Sequence, residues 1–447
     1  MRIEDVWPVS PLQEGLLFHA LFDEQGTDVY VEQMVLGIEG PLDAAVLRAS
    51  WQALLDRHAS LRAGFRQLPG VDQPVQVIAR QVELPWREED LSGLPEADAL
   101  AGVERLGVEE RARRFDLAVP PLLRILLVKV GTERYRAVVT LHHIVLDGWS
   151  LPVLMRELWT AYEAGGGTGG LPPVTPYRSY LEWLGRQDKE AAREAWRQAL
   201  EGAEEPTLIA PVDRNAAPVH GELVTARAGA ELNDSLQELV RVHGVTMNTV
   251  VQAAWGLLVG KLTGRRDVVF GASVAGRPAD LPGMESMLGL FINTVPVRVR
   301  LDPAQTVGGL LAELQAEQSA LMDYQHLSLT DVQRLAGPGA HFDTIMAFEN
   351  FPSGLSGDSP ADDDALPGPP GLRVTGAGFQ ESINYPLGLV AGSIGGLGLR
   401  LNYRPDVFGV EEARRILDRL LRLLEQMAAD PGGRLSRLAV LDEVEFE

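Results

Sequence analysis

Two adjacent histidines, His142 and His143, close the run "RYRAVVTLHH" (134–143), and Asp147 stands four positions after the second. An imidazole titrates near neutral pH, so it can act as general base, general acid or metal ligand. Beside an aspartate it could be oriented as in a hydrolase triad, with Ser150 as the nucleophile. The other parts of a triad are missing: no G-x-S-x-G elbow surrounds Ser150, which already has a sufficient role as a helix cap. A metal site is equally thin, since the pair has no His-x-x-x-His spacing and no further carboxylate–histidine cluster nearby. The bland alternative is one buried core histidine beside one that faces solvent. Taken alone, the motif supports an acid–base histidine in a two-lobed α/β protein.

The elements that must position the pair can be read from the pattern around it. "RYRAVVTL" (134–141) is rich in β-branched residues and has no breaker, which predicts a buried strand delivering both histidines at its end. A strand alternates its faces, so only one of the two rings can enter a given cleft. Asp147-Gly148 makes the turn, and Ser150 predicts the cap of a helix over 151–164, with Pro152 in the first turn, where a missing N–H costs least. Leu47, Trp51, Leu54 and Leu55 recur at helical spacing in 47–58. The Gly- and Pro-rich run "GGGTGGLPPVTP" (165–176) reads as a linker and divides the chain into an N-terminal lobe, 1–176, and a C-terminal lobe, 177–447. In the second lobe the pattern predicts two helices over 233–264, strands over 267–276 and 291–301, and an amphipathic helix over 411–430. The acidic, breaker-rich stretch 352–370 reads as a surface loop, and 435–447 as a tail heading toward a further segment.

With 447 residues, 45% of them hydrophobic, the chain can fill more than one core. Its net charge of −22 repels phosphate backbones and anionic lipid surfaces, which argues against nucleic-acid and membrane partners. There is no cysteine, which excludes disulfides, thiolate metal sites and a cysteine nucleophile, so any thioester must belong to a partner. The N-terminus "MRIEDVWPVSPLQEG" lacks the basic end and apolar run of a signal peptide, and no stretch of eighteen apolar residues occurs, so a cytoplasmic protein is expected.

"LHHIVLDGWS" (141–150) resembles the His-His-x-x-x-Asp-Gly signature of nonribosomal peptide synthetase condensation domains, and further blocks match in the same order. "SPLQEGLLFH" (10–19) is similar to the family's opening motif and "RHASLRAGF" (57–65) to its second. "YRSYLEWL" (177–184) stands where an aromatic block is expected, followed by "LGLFINTVPVRV" (288–299), "YQHLSL" (324–329) and "FDTIMAFENFP" (342–352). The resemblance runs from Val6 to about Leu424. It implies an α/β (α+β two-layer) fold of two chloramphenicol acetyltransferase-like lobes forming a V with a central tunnel. It also implies an acyltransferase: an amide bond forms between a donor acyl or peptidyl thioester and an acceptor aminoacyl thioester, in antibiotic or siderophore biosynthesis. No metal and no permanently bound cofactor are expected. The phosphopantetheine arms of upstream and downstream peptidyl carrier domains are the substrates, an adjacent adenylation domain is the further partner, and the excised domain is expected to be monomeric.

By the family pattern His143 is the imidazole that takes or holds the proton of the attacking amine, while His142 packs inside the first lobe. Asp147 is implied to turn away from the cleft and pair with Arg277 of "GRPADLPG", and Gly148 to permit close backbone approach. Arg62 and His58 read as framework hydrogen-bonders, and Asn293 as a brace for a strand crossing between lobes. Ser10 and Trp149 are further bracing or tunnel-lining candidates, and Trp149 and Tyr385 read as core aromatics. The segments around 277–293 and after Ser382 are expected to bridge the lobes. The rivals are an epimerization domain, against which "GLFINTVPVRV" argues, and a heterocyclization domain, which would carry paired aspartates instead of histidines. A silent carrier-binding platform would have a damaged histidine motif. A free-standing coenzyme A transferase competes with the look of the tail, which resembles the linker toward an adenylation domain. The opening block and "DGWS" lean toward the subclass that accepts a D-configured donor terminus.

Overall fold

The β-branched run before the histidines forms the strand Arg134–His142, central in a six-stranded sheet. The computed structural model describes residues 2–22, 28–71, 73–210, 221–349, 365–366, 368–380, 384–393 and 395–440. The sheet runs Ala365–Leu366, Arg373–Gln380, Val31–Glu39, Arg134–His142, Leu123–Gly131, Trp86–Asp90, antiparallel except for the last pair. The pleat explains why both faces of the central strands carry apolar residues. Ile125, Leu127, Ala137, Val139 and Leu141 face one core together with helices Ala44–Arg57 and Leu151–Glu163. Leu126, Val128 and Val138 face a smaller one made with Ala99, Val103 and Leu106 of helix Glu96–Ala112. A strand buried on both faces reads as continuous hydrophobicity rather than alternation. A three-stranded antiparallel sheet, Ile3–Pro8, Val75–Ala79, Ala63–Arg66, completes this unit.

The second sheet is also mixed: Asn293–Arg300, Asp267–Val274, Thr344–Glu349, Leu387–Gly392, Gly398–Tyr403, Glu222–Arg227. Thr344–Glu349 pairs in parallel with both of its neighbours, and the outer pairs are antiparallel. Helix Met247–Thr263 is buried at every residue from Thr249 to Gly260. It can lie this close to the sheet because Gly256 has no side chain: a Cβ there would stand 2.8 Å from Val299. Helix Val410–Ala429 buries Ile416, Leu417, Leu420, Leu423, Leu424 and Met427 on one stripe and leaves its charged face outside.

The chain divides into one compact unit of Met1–Gln187, Arg277–Ile292 and Pro352–Ser382, and another of Asp188–Gly276, Asn293–Phe351 and Ile383–Glu447. A single cut after Pro176 does not reproduce this partition. The Gly/Pro run is irregular, as its composition dictates, but it packs on the first unit: Leu171 joins that core and the Pro172 carbonyl accepts from Arg57. Helix Tyr177–Gly185 follows into the same core through Tyr177, Tyr180 and Leu181. The acidic stretch 352–364, the end of the "FDTIMAFENFP" block from 350, the segment start at Ser382 and the tail from 441 lie outside the described residues. Among those described, no helix is long and apolar enough to cross a membrane.

Candidate active site

The strand Arg134–His142 ends on His142, and His143 opens a 3-10 turn, His143–Val145. Alternation sends the two rings to different surroundings. His142 is fully buried; its Nδ1 accepts from the Ile144 amide at 3.1 Å, which puts the proton of the neutral ring on Nε2. Nε2 faces Asp28 Oδ2 at 3.2 Å in charge contact, off the hydrogen-bond axis. Burial pushes the Asp28 carboxyl up, but the proximity of His142 outweighs it and holds the group below the ordinary aspartate range. His143 is half-buried, with 15% of its side chain exposed. Its amide donates to the Tyr30 carbonyl at 2.9 Å, and its Nδ1 lies 2.9 Å from the Leu146 carbonyl and 3.3 Å from Glu32 Oε1. A carbonyl can only accept, so the neutral ring carries its proton on Nδ1 and keeps Nε2 as its basic nitrogen.

Asp147 is wholly buried and points away from this ring. Oδ1 accepts from the Ser150 amide at 2.9 Å and lies 2.8 Å from the Ser150 hydroxyl and 3.2 Å from Arg277 Nη2; Oδ2 accepts from the Phe291 amide at 3.0 Å. Ser150 does not cap the helix that begins at Leu151: its backbone is already αR and its side chain makes no cap bond. The hydroxyl instead joins the knot, accepting from Arg277 Nη2 at 2.8 Å and lying 2.9 Å from the Gly289 carbonyl. Arg277 also donates to the Met284 carbonyl at 2.9 Å and stacks over Phe291 with 4.1 Å to the ring centroid. The structure thus brings together His142, His143, Asp147, Ser150 and Arg277 in one unit. It does so as an imidazole at a strand end and a buried ionic knot that closes the loop after it. Gly148 lies on that loop, half-exposed, its carbonyl accepting from the Leu151 amide.

The knot fixes an irregular segment that has no ladder of its own. Leu288, Gly289, Leu290 and Phe291 offer their carbonyls to the hydroxyls of Ser60, Ser150, Tyr177 and Tyr180, at 2.8, 2.9, 2.6 and 3.3 Å. Burial holds the Tyr177 and Tyr180 phenols well above their ordinary range, so both remain donors.

The remaining candidates make contacts of their own. Arg62 is buried, bonds the Leu55, Ala79 and Arg80 carbonyls, and pairs with Glu4 at 2.6 Å. His58 Nε2 meets Glu157 Oε2 at 2.6 Å inside the same unit. Ser10 heads a capping box: Gln13 bonds the Ser10 amide at 2.9 Å while the Gln13 amide donates back to Ser10 Oγ. Asn293 lies in the second unit, where Nδ2 donates to the Gln325 and Leu327 carbonyls at 2.8 Å each. Tyr385, in that unit too, stacks on Phe342 and is pushed up to about 12 by burial. Trp149 is not a core aromatic; it is 37% exposed.

Two contributors escaped the reading of the sequence. Gln13 Nε2 donates to the Ile144 carbonyl at 2.9 Å, tying the opening helix, Pro11–Phe22, to the turn that carries His143. The signal was present, since Ser-x-x-Gln before an apolar run is a capping pattern. Glu32 could only be found from strand pairing: it stands opposite Leu141, and His143 lies two residues further on the same face.

A family model described as a condensation domain matches residues 3–447. A linear gramicidin synthase protein of Brevibacillus parabrevis is 38% identical over 452 residues, covering 99% of this chain and 6% of that protein. The chain therefore spans a small part of such relatives. Among solved structures, a four-domain nonribosomal peptide synthetase bound to AMP and glycine superposes with a TM-score of 0.83 at 18% identity, over 99% of this chain and 34% of that one. The first condensation domain of the calcium-dependent antibiotic synthetase, in complex with a substrate analogue, gives a TM-score of 0.76 at 20% identity, over 98% and 100%. At these identities the superpositions establish the mixed α/β fold.

Proposed function

The chain belongs to the condensation-domain family, and we propose that it forms an amide bond between two carrier-bound thioesters, with His143 as the base. The donor is an acyl or peptidyl thioester on one phosphopantetheine arm; the acceptor is the α-amine of an aminoacyl thioester on another. The amine attacks the thioester carbonyl carbon, the C–N bond forms, and the C–S bond breaks to release a thiolate. An attacking amine must lose a proton on the way, and His143 Nε2 takes it and returns it to the thiolate sulfur. The observation that supports this most is the Nδ1 contact with the Leu146 carbonyl, which gives the ring the tautomer a base needs. The cysteine-free sequence agrees, because without a thiol nucleophile direct aminolysis needs no acyl-enzyme.

The knot of Asp147, Ser150 and Arg277 holds the loop after His143 and touches no reacting atom in this scheme. The donor terminus is read as D-configured, from the opening block and the "DGWS" that follows the histidines. The test is a condensation assay with two loaded carrier proteins and donors of both configurations. Wild-type protein is expected to give amide product, faster with the D-donor, and His143→Ala none above background. An alanine variant with full activity would remove His143 from the chemistry.

A further inference from the structure

Glu32 sits on the strand Val31–Glu39, opposite Leu141 in the antiparallel pairing with the histidine strand. Residues directly opposite share a face, and so do residues two apart on one strand, so Glu32, Leu141 and His143 belong to one face. Val31, opposite His142, belongs to the other. The Glu32 carboxylate is 94% buried (6% exposed) and its Oε1 lies 3.3 Å from His143 Nδ1, the nitrogen that also meets the Leu146 carbonyl. A buried carboxylate loses hydration that a neutral side chain would not miss, and sheet packing alone gives no reason for one at this position.

From this geometry we propose that Glu32 is a positioning residue for His143: it holds the Nδ1–H side of the ring and stabilises the imidazolium that forms when Nε2 takes the proton. This deepens the reading of His143 as the base and rests on it. A neutral ring held through Nδ1–H presents Nε2 in one orientation. When the ring becomes charged, the Leu146 carbonyl offers only a dipole, whereas Glu32 offers a full opposite charge at contact distance. The titratable groups that flank the histidine pair, Asp28, Asp147 and Arg277, have partners of their own. Asp28 faces His142 on the opposite side of the strand, and Asp147 and Arg277 are joined to each other and to Ser150. Glu14 lies on the opening helix, whose Gln13 reaches Ile144.

The experiment compares Glu32→Gln and Glu32→Asp with the wild-type domain, using loaded carriers for kinetics and 15N-histidine NMR for the ring itself. In E32Q the carboxylate is gone, so the imidazolium is less favoured and the acid limb of kcat/KM against pH moves to lower pH. kcat falls by about 10- to 100-fold, with the acceptor KM within about twofold. The His143 ring signals titrate at correspondingly lower pH. E32D, with the charge one methylene further back, gives a smaller shift in the same direction, and it carries the test alone if E32Q does not accumulate as folded protein. A merely structural Glu32 would lower the yield of folded protein and leave the limb and the ring signals where they were; that result overturns the proposal. The NMR readout needs no turnover, so it reports the Glu32–His143 coupling even if His143→Ala retained activity and the assignment of the base itself failed.

Discussion

Asp147 Oδ1 and Arg277 Nη2 meet at 3.2 Å across 130 positions of sequence, and the aspartate side chain is wholly buried. The two partners are not equally placed. Without Arg277, Asp147 still accepts from the Ser150 amide and hydroxyl and from the Phe291 amide. Without Asp147, those three donors and a largely buried guanidinium lose the one carboxylate they share, although the Ser150 hydroxyl keeps the Gly289 carbonyl and Arg277 the Met284 carbonyl. Asp147→Ala is therefore expected to cost about 3–5 kcal/mol of stability, and Arg277→Ala somewhat less. The double variant should lose less than the sum of the two in chemical denaturation, because the residues touch. Strictly additive losses would count against the contact.

The adjacent histidines should separate in their defects. His142→Ala removes the acceptor of the Ile144 amide and leaves Asp28 buried without its imidazole, so it should destabilise by about 2–4 kcal/mol in thermal or urea unfolding. His143→Ala empties a position where 15% of the side chain is exposed. It also leaves Glu32 without its imidazole, but at a position that reaches solvent, so it should cost less stability than His142→Ala while lowering kcat by about 10²–10⁴. Equal losses of stability in both variants would mean that the two rings share one role.

The strand, the loop and the following helix were legible because each is a local pattern: β-branched run, Asp-Gly turn, proline in a first helical turn. The helices Ala230–His243 and Met247–Thr263 were legible for the same reason. What stayed hidden depends on which distant segments meet. Ser150 has the side chain of a helix cap, and only the arrival of Arg277 and Gly289 beside Asp147 recruits its hydroxyl elsewhere. The division of the chain was misplaced because a Gly/Pro run marks where backbone is irregular, not where packing stops; Tyr177 and Tyr180 continue into the first core beyond it. Glu32 carries no motif at all. Its place beside His143 follows from strand register, which one sequence does not determine.

Acid should weaken the first unit through Glu157. Burial pushes this carboxyl up, but the contacts with His58 at 2.6 Å and Arg57 at 3.0 Å outweigh it and hold it below the ordinary glutamate value of 4.5. A carboxyl depressed in the folded state binds its proton more readily when unfolded. Its stabilisation is therefore present above the unfolded value and is lost as pH falls through the folded one. The stability gap between wild type and Glu157→Gln should be largest near neutral pH and should shrink as pH falls below the ordinary glutamate value of 4.5. Unfolding curves taken across that range check it; a gap that widened toward acid would reverse the sign of the argument.

Gly289, in the segment 288–291, lies directly against Tyr177 of the helix Tyr177–Gly185. A Cβ built there would stand 2.3 Å from Tyr177 Cδ2 and 2.5 Å from Cε2, too close for any side chain unless the ring moves. The ring is not free to move: Tyr177 is 3% exposed, packs edge-on to Phe291 with 5.1 Å between centroids, and donates to the Leu290 carbonyl. Gly289→Ala should therefore cost about 1–3 kcal/mol or more by overpacking. It should also lower condensation activity, since the Gly289 carbonyl accepts from the Asp147 amide at 3.1 Å on the loop that follows His143. Trimming the obstacle tests the cause. Tyr177→Leu alone loses the hydroxyl's bond to Leu290, but in the Gly289→Ala background it makes room for the methyl, so the double variant should be more stable than the two separate losses predict. If the losses simply add, the clash with Tyr177 is not what excludes a side chain at 289.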